Sequence, residues 1–110
     1  MKEKFTGKSL NIYLIEDEKW KNQPLYEAIL QLCHEKGLLA TIVNRGIEGF
    51  GASARIYHTH SLSLSKQSPL TITVVGKDEQ ITSLMPELDK MILSGLITTA
   101  SVDVILYKKD

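Results

Sequence analysis

LNIYLIEDEKWKNQPLYEAILQLCHEKG, Leu10 to Gly37, changes its hydrophobic period once. Leu10, Ile12 and Leu14 alternate with Asn11, Tyr13 and Ile15, the period of two expected of a strand. After the acidic run Glu16-Asp17-Glu18, the apolar residues fall instead at Leu25, Ile29, Leu32 and Cys33, one stripe of a helix. Pro24 suits the first turn of that helix, where no donor is needed, and Gly37 suits its C-terminal stop. Working outward, Leu38 to Asn44 is apolar and β-prone. Leu70, Ile72 and Val74 alternate with Thr71 and Thr73. Asp78 then reads as the N-cap of a helix whose face is Ile81, Leu84, Met85, Leu88, Met91 and Ile92, ending near Gly95. Pro86 interrupts it and predicts a kink or two abutting short helices. Val102, Val104 and Leu106 supply a last strand. The order β-α-β-β-α-β is an α+β fold, the ferredoxin-like split βαβ, with two helices on one face of an antiparallel sheet.

That plan leaves one face of the sheet uncovered, yet Tyr13 and Ile15 of the first strand, and Ile105 and Tyr107 of the last, are assigned to it. The cover expected is a further copy of the chain. With 110 residues there is room for one domain, residues 1–110. Thirteen Lys+Arg against thirteen Asp+Glu give no net charge, which argues against a nucleic-acid platform. The single cysteine, Cys33, makes no internal disulfide, and the polar MKEK start is no signal peptide, so a cytoplasmic location is expected. No apolar run approaches the ~20 residues that span a bilayer.

The unusual stretch is NRGIEGFGASARIYHTHSLSLS, Asn44 to Ser65, which holds both arginines, Arg45 and Arg55. Gly46-x-x-Gly49-x-Gly51 matches neither the dinucleotide fingerprint nor the phosphate loop, and strand-like alternation follows it from Ile56 to Leu64. In the structural interpretation the glycines mark a bulge or bend, through positive φ or close packing. In the functional one, their N–H groups line an anion cleft to which Arg45 and Arg55 add charge and forked donors.

RGIEGFGASARI (residues 45–56), KWKNQPLYEAI (19–29) and LMPELDKMILSGLIT (84–98) together resemble the PII-like family catalogued as domain of unknown function 190. More remotely, Glu48-Gly49-Phe50-Gly51 is similar to the lysine-Gly-Phe-Gly signature of nitrogen-regulatory PII signalling proteins. Ser94-Gly95-Leu96-Ile97 is similar to the opening of their nucleotide-gripping B-loop. The resemblance implies a homotrimer with ligand clefts between subunits, bordered here by Arg45, Gly46, Glu48, Gly49, Phe50, Gly51, Ser53 and Arg55. It implies a signalling role in which a bound effector, with adenine nucleotides one candidate, is reported through Ala52 to Ser68. The implied docking partner is a membrane transporter or channel, since relatives occur joined to fluoride-exporter domains. Leu96 stands at the B-loop lysine position, Thr98-Thr99-Ala100-Ser101 replaces its glycines and lysine, and the C-terminal arginines are missing. These departures argue against a triphosphate and leave a less charged nucleotide, another anion or no nucleotide. The cofactor is unassigned.

His58 and His60 sit about 7 Å apart along a strand and could chelate a metal given a third ligand. The alternative function is therefore a trimeric metal-binding protein similar to the CutA group, although no metal ligand is assigned. Glu16-Asp17-Glu18 reads as a solvated acidic turn. Trp20 reads as a packing anchor on the first helix. No nucleophile has an adjacent base, so no catalytic residue is expected and the chain is not read as an enzyme.

Overall fold

The computed structural model describes residues 1–59 and 67–109. β1 (Lys2–Ile15) runs for 14 residues, starting well before the alternating stretch that signals it. β2 (Lys19–Trp20) and β3 (Gln23–Pro24) form a short ribbon. Its loop residues Lys21 and Asn22 have φ of 48° and 64°, the doubly left-handed conformation of a type I′ turn. α1 (Leu25–Glu35) follows at once, with Pro24 at the N-cap position rather than inside the first turn. The helix stops at Gly37, which takes φ of 72°. The Gly37 N–H donates to the His34 carbonyl and the Leu38 N–H to the Cys33 carbonyl, each at 3.1 Å, closing a Schellman motif.

β4 (Ala40–Arg45), β5 (Glu48–Gly49), β6 (Tyr57–His58), β7 (Pro69–Gly76), α2 (Asp78–Met91) and β8 (Leu96–Tyr107) come next. The four long strands form one antiparallel sheet in the order β4-β7-β1-β8. This is the split βαβ plan. Leu10, Ile12, Leu14, Ile72 and Val74 bury one face of the sheet against Leu25, Ile29 and Cys33 of α1 and Ile81, Leu84 and Leu88 of α2. Each large apolar side chain buried there contributes roughly 1.5–3 kcal/mol. No helix of the described residues is long and apolar enough to cross a membrane.

Three local expectations are corrected. Of the two outcomes foreseen at Pro86, a kink or two abutting helices, the second is not found, since α2 is one helix through the proline. Thr82 and Pro86 both lie on its exposed side, where water can take the Thr82 carbonyl that loses its donor. The N-cap is Lys77, whose N–H donates to Gln80 Oε1 at 2.8 Å. Asp78 is the first helical residue, at the positive end of the helix dipole, with its carboxylate 3.1 Å from Lys8 Nζ. The uncovered face also carries different residues of the last strand from those expected. Paired residues project to the same side, and β1 and β8 pair without a break from Lys2↔Tyr107 to Tyr13↔Leu96. Ile105 and Tyr107 therefore share the side of Lys4, Lys2 and the helices. Leu96, Val102, Val104 and Leu106 share the open side with Tyr13.

β1 pairs with β7 only from Lys8 onward, so Lys2–Gly7 and their β8 partners extend as a two-stranded arm. The described chain is correspondingly long, 45 × 28 × 23 Å.

Candidate functional site

Where β4 ends, the chain must leave the sheet without colliding with β7. Gly46 makes this possible: its N–H donates to the Pro69 carbonyl at 2.7 Å, and an added Cβ would stand 3.2 Å from Pro69 Cγ and 3.3 Å from the Pro69 carbonyl oxygen. β5 and β6 then pair as a small ribbon, Glu48 opposite His58 and Gly49 opposite Tyr57. Thr59 ties the ribbon down. Its N–H donates to the Ile47 carbonyl at 2.8 Å, and its Oγ1 lies 2.7 Å from the Gly46 carbonyl and 2.6 Å from Ser68 Oγ.

The glycine segment is thereby laid against the end of the sheet, leaving a cleft of about 200 Å³. One wall is Gly46 with Glu48, Gly49, Phe50, Gly51, Ala52 and Ser53. The facing wall comes from Tyr13, Leu14 and Ile15 of β1 and Pro69, Leu70 and Thr71 of β7. Glu18 and Ser94 complete it. Of the residues proposed from sequence, Gly46, Glu48, Gly49, Phe50, Gly51 and Ser53 thus line one cleft, with Phe50 67% exposed at its rim.

Arg45 and Arg55 are not among the residues that line this cleft of the single chain. Arg45 turns back to Glu16, its Nη2 2.5 Å from Oε2 and its Nε 3.2 Å from Oε1. Glu16 is only 7% exposed, so the reading of Glu16-Asp17-Glu18 as a solvated turn fails at its first member. A carboxylate taken out of water needs a paired charge, and Arg45 supplies it in forked geometry. The Arg55 guanidinium lies 5.1 Å from the centroid of the Tyr57 ring, a cation–π contact.

The cleft has an electrostatic sign. Glu18 and Glu48 line it, and among the described residues no lysine or arginine does. Burial pushes the Glu18 carboxyl above the usual carboxylate range, the Ile15 N–H donating to it at 3.0 Å works against that, and the Asp17 charge adds to it. His58 Nδ1 is 3.1 Å from Glu48 Oε1 across the ribbon. Among the described residues no three His, Cys, Asp or Glu side chains gather as a metal site. His60 lies outside the described residues, as do residues 61–66 of the segment from Ala52 to Ser68. Cys33 is buried in the core, and burial pushes its thiol up, away from the reactive thiolate.

The conformational explanation of the glycines is also corrected. None of Gly46, Gly49 and Gly51 has positive φ; among the described residues of this stretch that role falls to Ala54, with φ of 62° and its N–H donating to the Gly51 carbonyl at 3.0 Å. A Cβ on Gly49 would meet nothing nearer than 3.8 Å and one on Gly51 nothing nearer than 3.9 Å, ordinary contacts. Of these three, only Gly46 is required by packing among the described atoms. Sequence reasoning missed Tyr13, Glu18 and Thr71, which topology alone brings to the cleft. Ser94 carried a signal, as the first residue of the Ser-Gly-Leu-Ile stretch likened to the B-loop.

A family model described as DUF190, Uncharacterized ACR, matches residues 7–104. A UPF0166 protein of Aquifex aeolicus (strain VF5) is 32% identical over 98 residues, spanning 89% of this chain and 92% of the relative. A UPF0166 protein of Methanocaldococcus jannaschii is 31% identical over 92 residues, 83% of this chain and 84% of that one. Among solved structures, CPII, a nitrogen regulatory PII-like protein from Thiomonas intermedia K12 bound to ADP, AMP and bicarbonate, superposes with a TM-score of 0.65. Its identity is 19%, over 93% of this chain and 91% of that one. A PII-like signalling protein from Thermus thermophilus gives 0.60 at 9% identity, over 94% and 92% of the two chains. At these identities the structural likeness bears on fold alone.

Proposed function

The chain belongs to the DUF190 family, and from that premise we propose that it is a PII-like regulatory protein that binds a small anionic effector, an adenine nucleotide, at a site that includes the cleft between its glycine segment and the sheet end. One observation carries this reading. Gly49 and Gly51 line the cleft although neither backbone conformation nor packing among the described atoms calls for glycine there. Bare backbone at such a place leaves room for something from outside the chain. The exposed Phe50 ring offers a face for a base, and Ser53, Thr71 and Ser94 offer hydroxyls beside it. The PII-like neighbour described with ADP and AMP supports the ligand class.

In this reading the protein binds and does not catalyse. It acts in the cytoplasm as a homotrimer, whose clefts lie where subunits meet. A ligand acts on the segment running from the cleft through Ala54 to Thr59 by binding one arrangement of it more tightly than others. The partner that reads this arrangement is a membrane transporter or channel.

Titration calorimetry with AMP and ADP tests the site. The wild type binds at least one of them. Gly49→Ala and Gly51→Ala each weaken binding by tenfold or more while leaving thermal stability within a few degrees of the wild type. Full affinity in both alanine variants would remove the cleft from the account, and silence from every adenine compound would remove the nucleotide.

A further inference from the structure

The glycine-lined cleft is too small and carries the wrong sign to hold a whole nucleotide. Its volume of about 200 Å³ falls below the roughly 300–1,000 Å³ usual for small-molecule sites. Its ionisable lining residues include Glu18 and Glu48 and no cation among the described residues. A phosphate placed beside two carboxylates is repelled by both, whereas a base or ribose donates hydrogen bonds to them.

A second cleft, of about 350 Å³, adjoins the first and shares Ile15, Glu18, Ser53 and Ser94 with it. Here cations appear. Lys19 lines the second cleft, and so does Tyr57, the ring over which the Arg55 guanidinium lies. The opposing charges are Glu18, on the shared wall, and Asp17, whose Oδ2 accepts from Gln67 Nε2 at 3.3 Å. Among the described residues, the second cleft is lined by one cation, Lys19, against two carboxylates, with Arg55 adjoining it over the Tyr57 ring, whereas the first is lined by two carboxylates and no cation. The lining of the second cleft is therefore less acidic than that of the first.

Building on the nucleotide reading above, we infer that the ligand lies across both clefts, with its nucleoside in the glycine-lined one and its phosphates in the second, held by Lys19 and Arg55. This gives Arg55 a task other than lining the glycine wall. It also gives Lys19, on the β2–β3 ribbon, a task that sequence did not assign. The ribbon is set by its type I′ turn, so Lys19 is presented on fixed backbone rather than on a free loop.

Calorimetry with adenosine, AMP and ADP on the wild type and on a Lys19→Ala/Arg55→Ala double variant tests the inference. Expected are wild-type affinities that rise from adenosine to ADP by at least tenfold. In the double variant that rise falls to threefold or less, while adenosine itself binds within twofold of wild type. The wild-type dependence of ADP affinity on salt should also flatten in the double variant. A double variant that keeps the full gain from adenosine to ADP overturns the phosphate assignment and leaves the nucleotide reading intact. One that loses adenosine to the same degree as ADP also overturns it, because the two residues then support the fold of the cleft. If no adenine compound binds the wild type, this inference falls together with the reading on which it rests.

Discussion

At the scale of single residues, charge pairing decides which groups are free to meet a ligand. Arg45 and Glu16 lie 29 positions apart, and nothing in either neighbourhood announces their pairing. Sequence therefore offered Arg45 to an anion, whereas the fold needs it to neutralise a carboxylate that β1 carries out of water. Arg45→Ala should lower the melting temperature by several degrees, because it leaves the Glu16 charge buried without its guanidinium. Adding Glu16→Gln should recover most of the loss, since an amide is cheaper to bury than a carboxylate. A double variant no more stable than Arg45→Ala alone would show that the pair does not hold this corner. Glu18 makes a separate prediction about pH. Burial raises its folded-state pKa, so as pH rises the unfolded chain gives up this proton first. Between the two values the folded chain binds more protons, and stability falls with increasing pH until both states are ionised. Glu18→Gln keeps an oxygen to accept from the Ile15 N–H but removes that loss. Its melting temperature relative to wild type should therefore be higher at pH 7 than at pH 4, measured by differential scanning fluorimetry at both. An unchanged or reversed difference would contradict the assignment.

At the scale of elements, the sequence spoke clearly where one side of an element is buried and poorly where partner strands do the ordering. The alternation of Leu10, Ile12 and Leu14, the stripe of α1 and the Gly37 stop all follow from burial and backbone sterics, and each is found. Lys2 to Gly7 contains only Phe5 as a large apolar residue, so its period says nothing; it is strand because β8 pairs with it throughout. The β2–β3 and β5–β6 ribbons are two residues a side, below the length at which any period can be read. The glycine wall of the cleft was legible because its composition is odd, but the facing wall belongs to ordinary strands and is set by the sheet order. Pro86 shows how an element absorbs a breaker. Pro costs about 3 kcal/mol relative to Ala in a helix interior, but it also stiffens the unfolded chain by roughly 0.4–1 kcal/mol. Pro86→Ala should therefore stabilise the protein by about 2–2.6 kcal/mol, seen as a higher urea midpoint with an unchanged slope. A lower midpoint would mean that the proline fits a local bend in α2 that alanine does not.

At the scale of the whole molecule, the sheet has a helix-covered side and a side with no cover among the described residues of the single chain, and its outermost strands are β4 and β8. On the open side, Ile42 is 59% exposed on β4 and Leu96 is 49% exposed on β8, at opposite margins of the same surface. Tyr13 and Ile15 lie between them, half-buried. A monomer that met only water there would keep oily side chains and the edges of its outermost strands in solvent, the combination that promotes pairing with another chain. Zero net charge supplies no repulsion against it. Ile42→Glu and Leu96→Glu discriminate between a solvent face and a subunit contact. In a lone chain both positions are open enough that a carboxylate stays hydrated and the fold is hardly disturbed. Under a second copy the same carboxylate must be desolvated, at a cost of several kcal/mol. Sedimentation equilibrium at micromolar concentration should give three copies for the wild type and a shift toward one copy for each variant, with far-ultraviolet circular dichroism unchanged. Because the glycine segment packs on the end of this same sheet, the dissociated variants should also lose affinity for any ligand whose cleft a neighbouring subunit completes. A wild type that sediments as one copy, or variants that remain assembled, would return the open side to solvent and confine the binding site to a single chain.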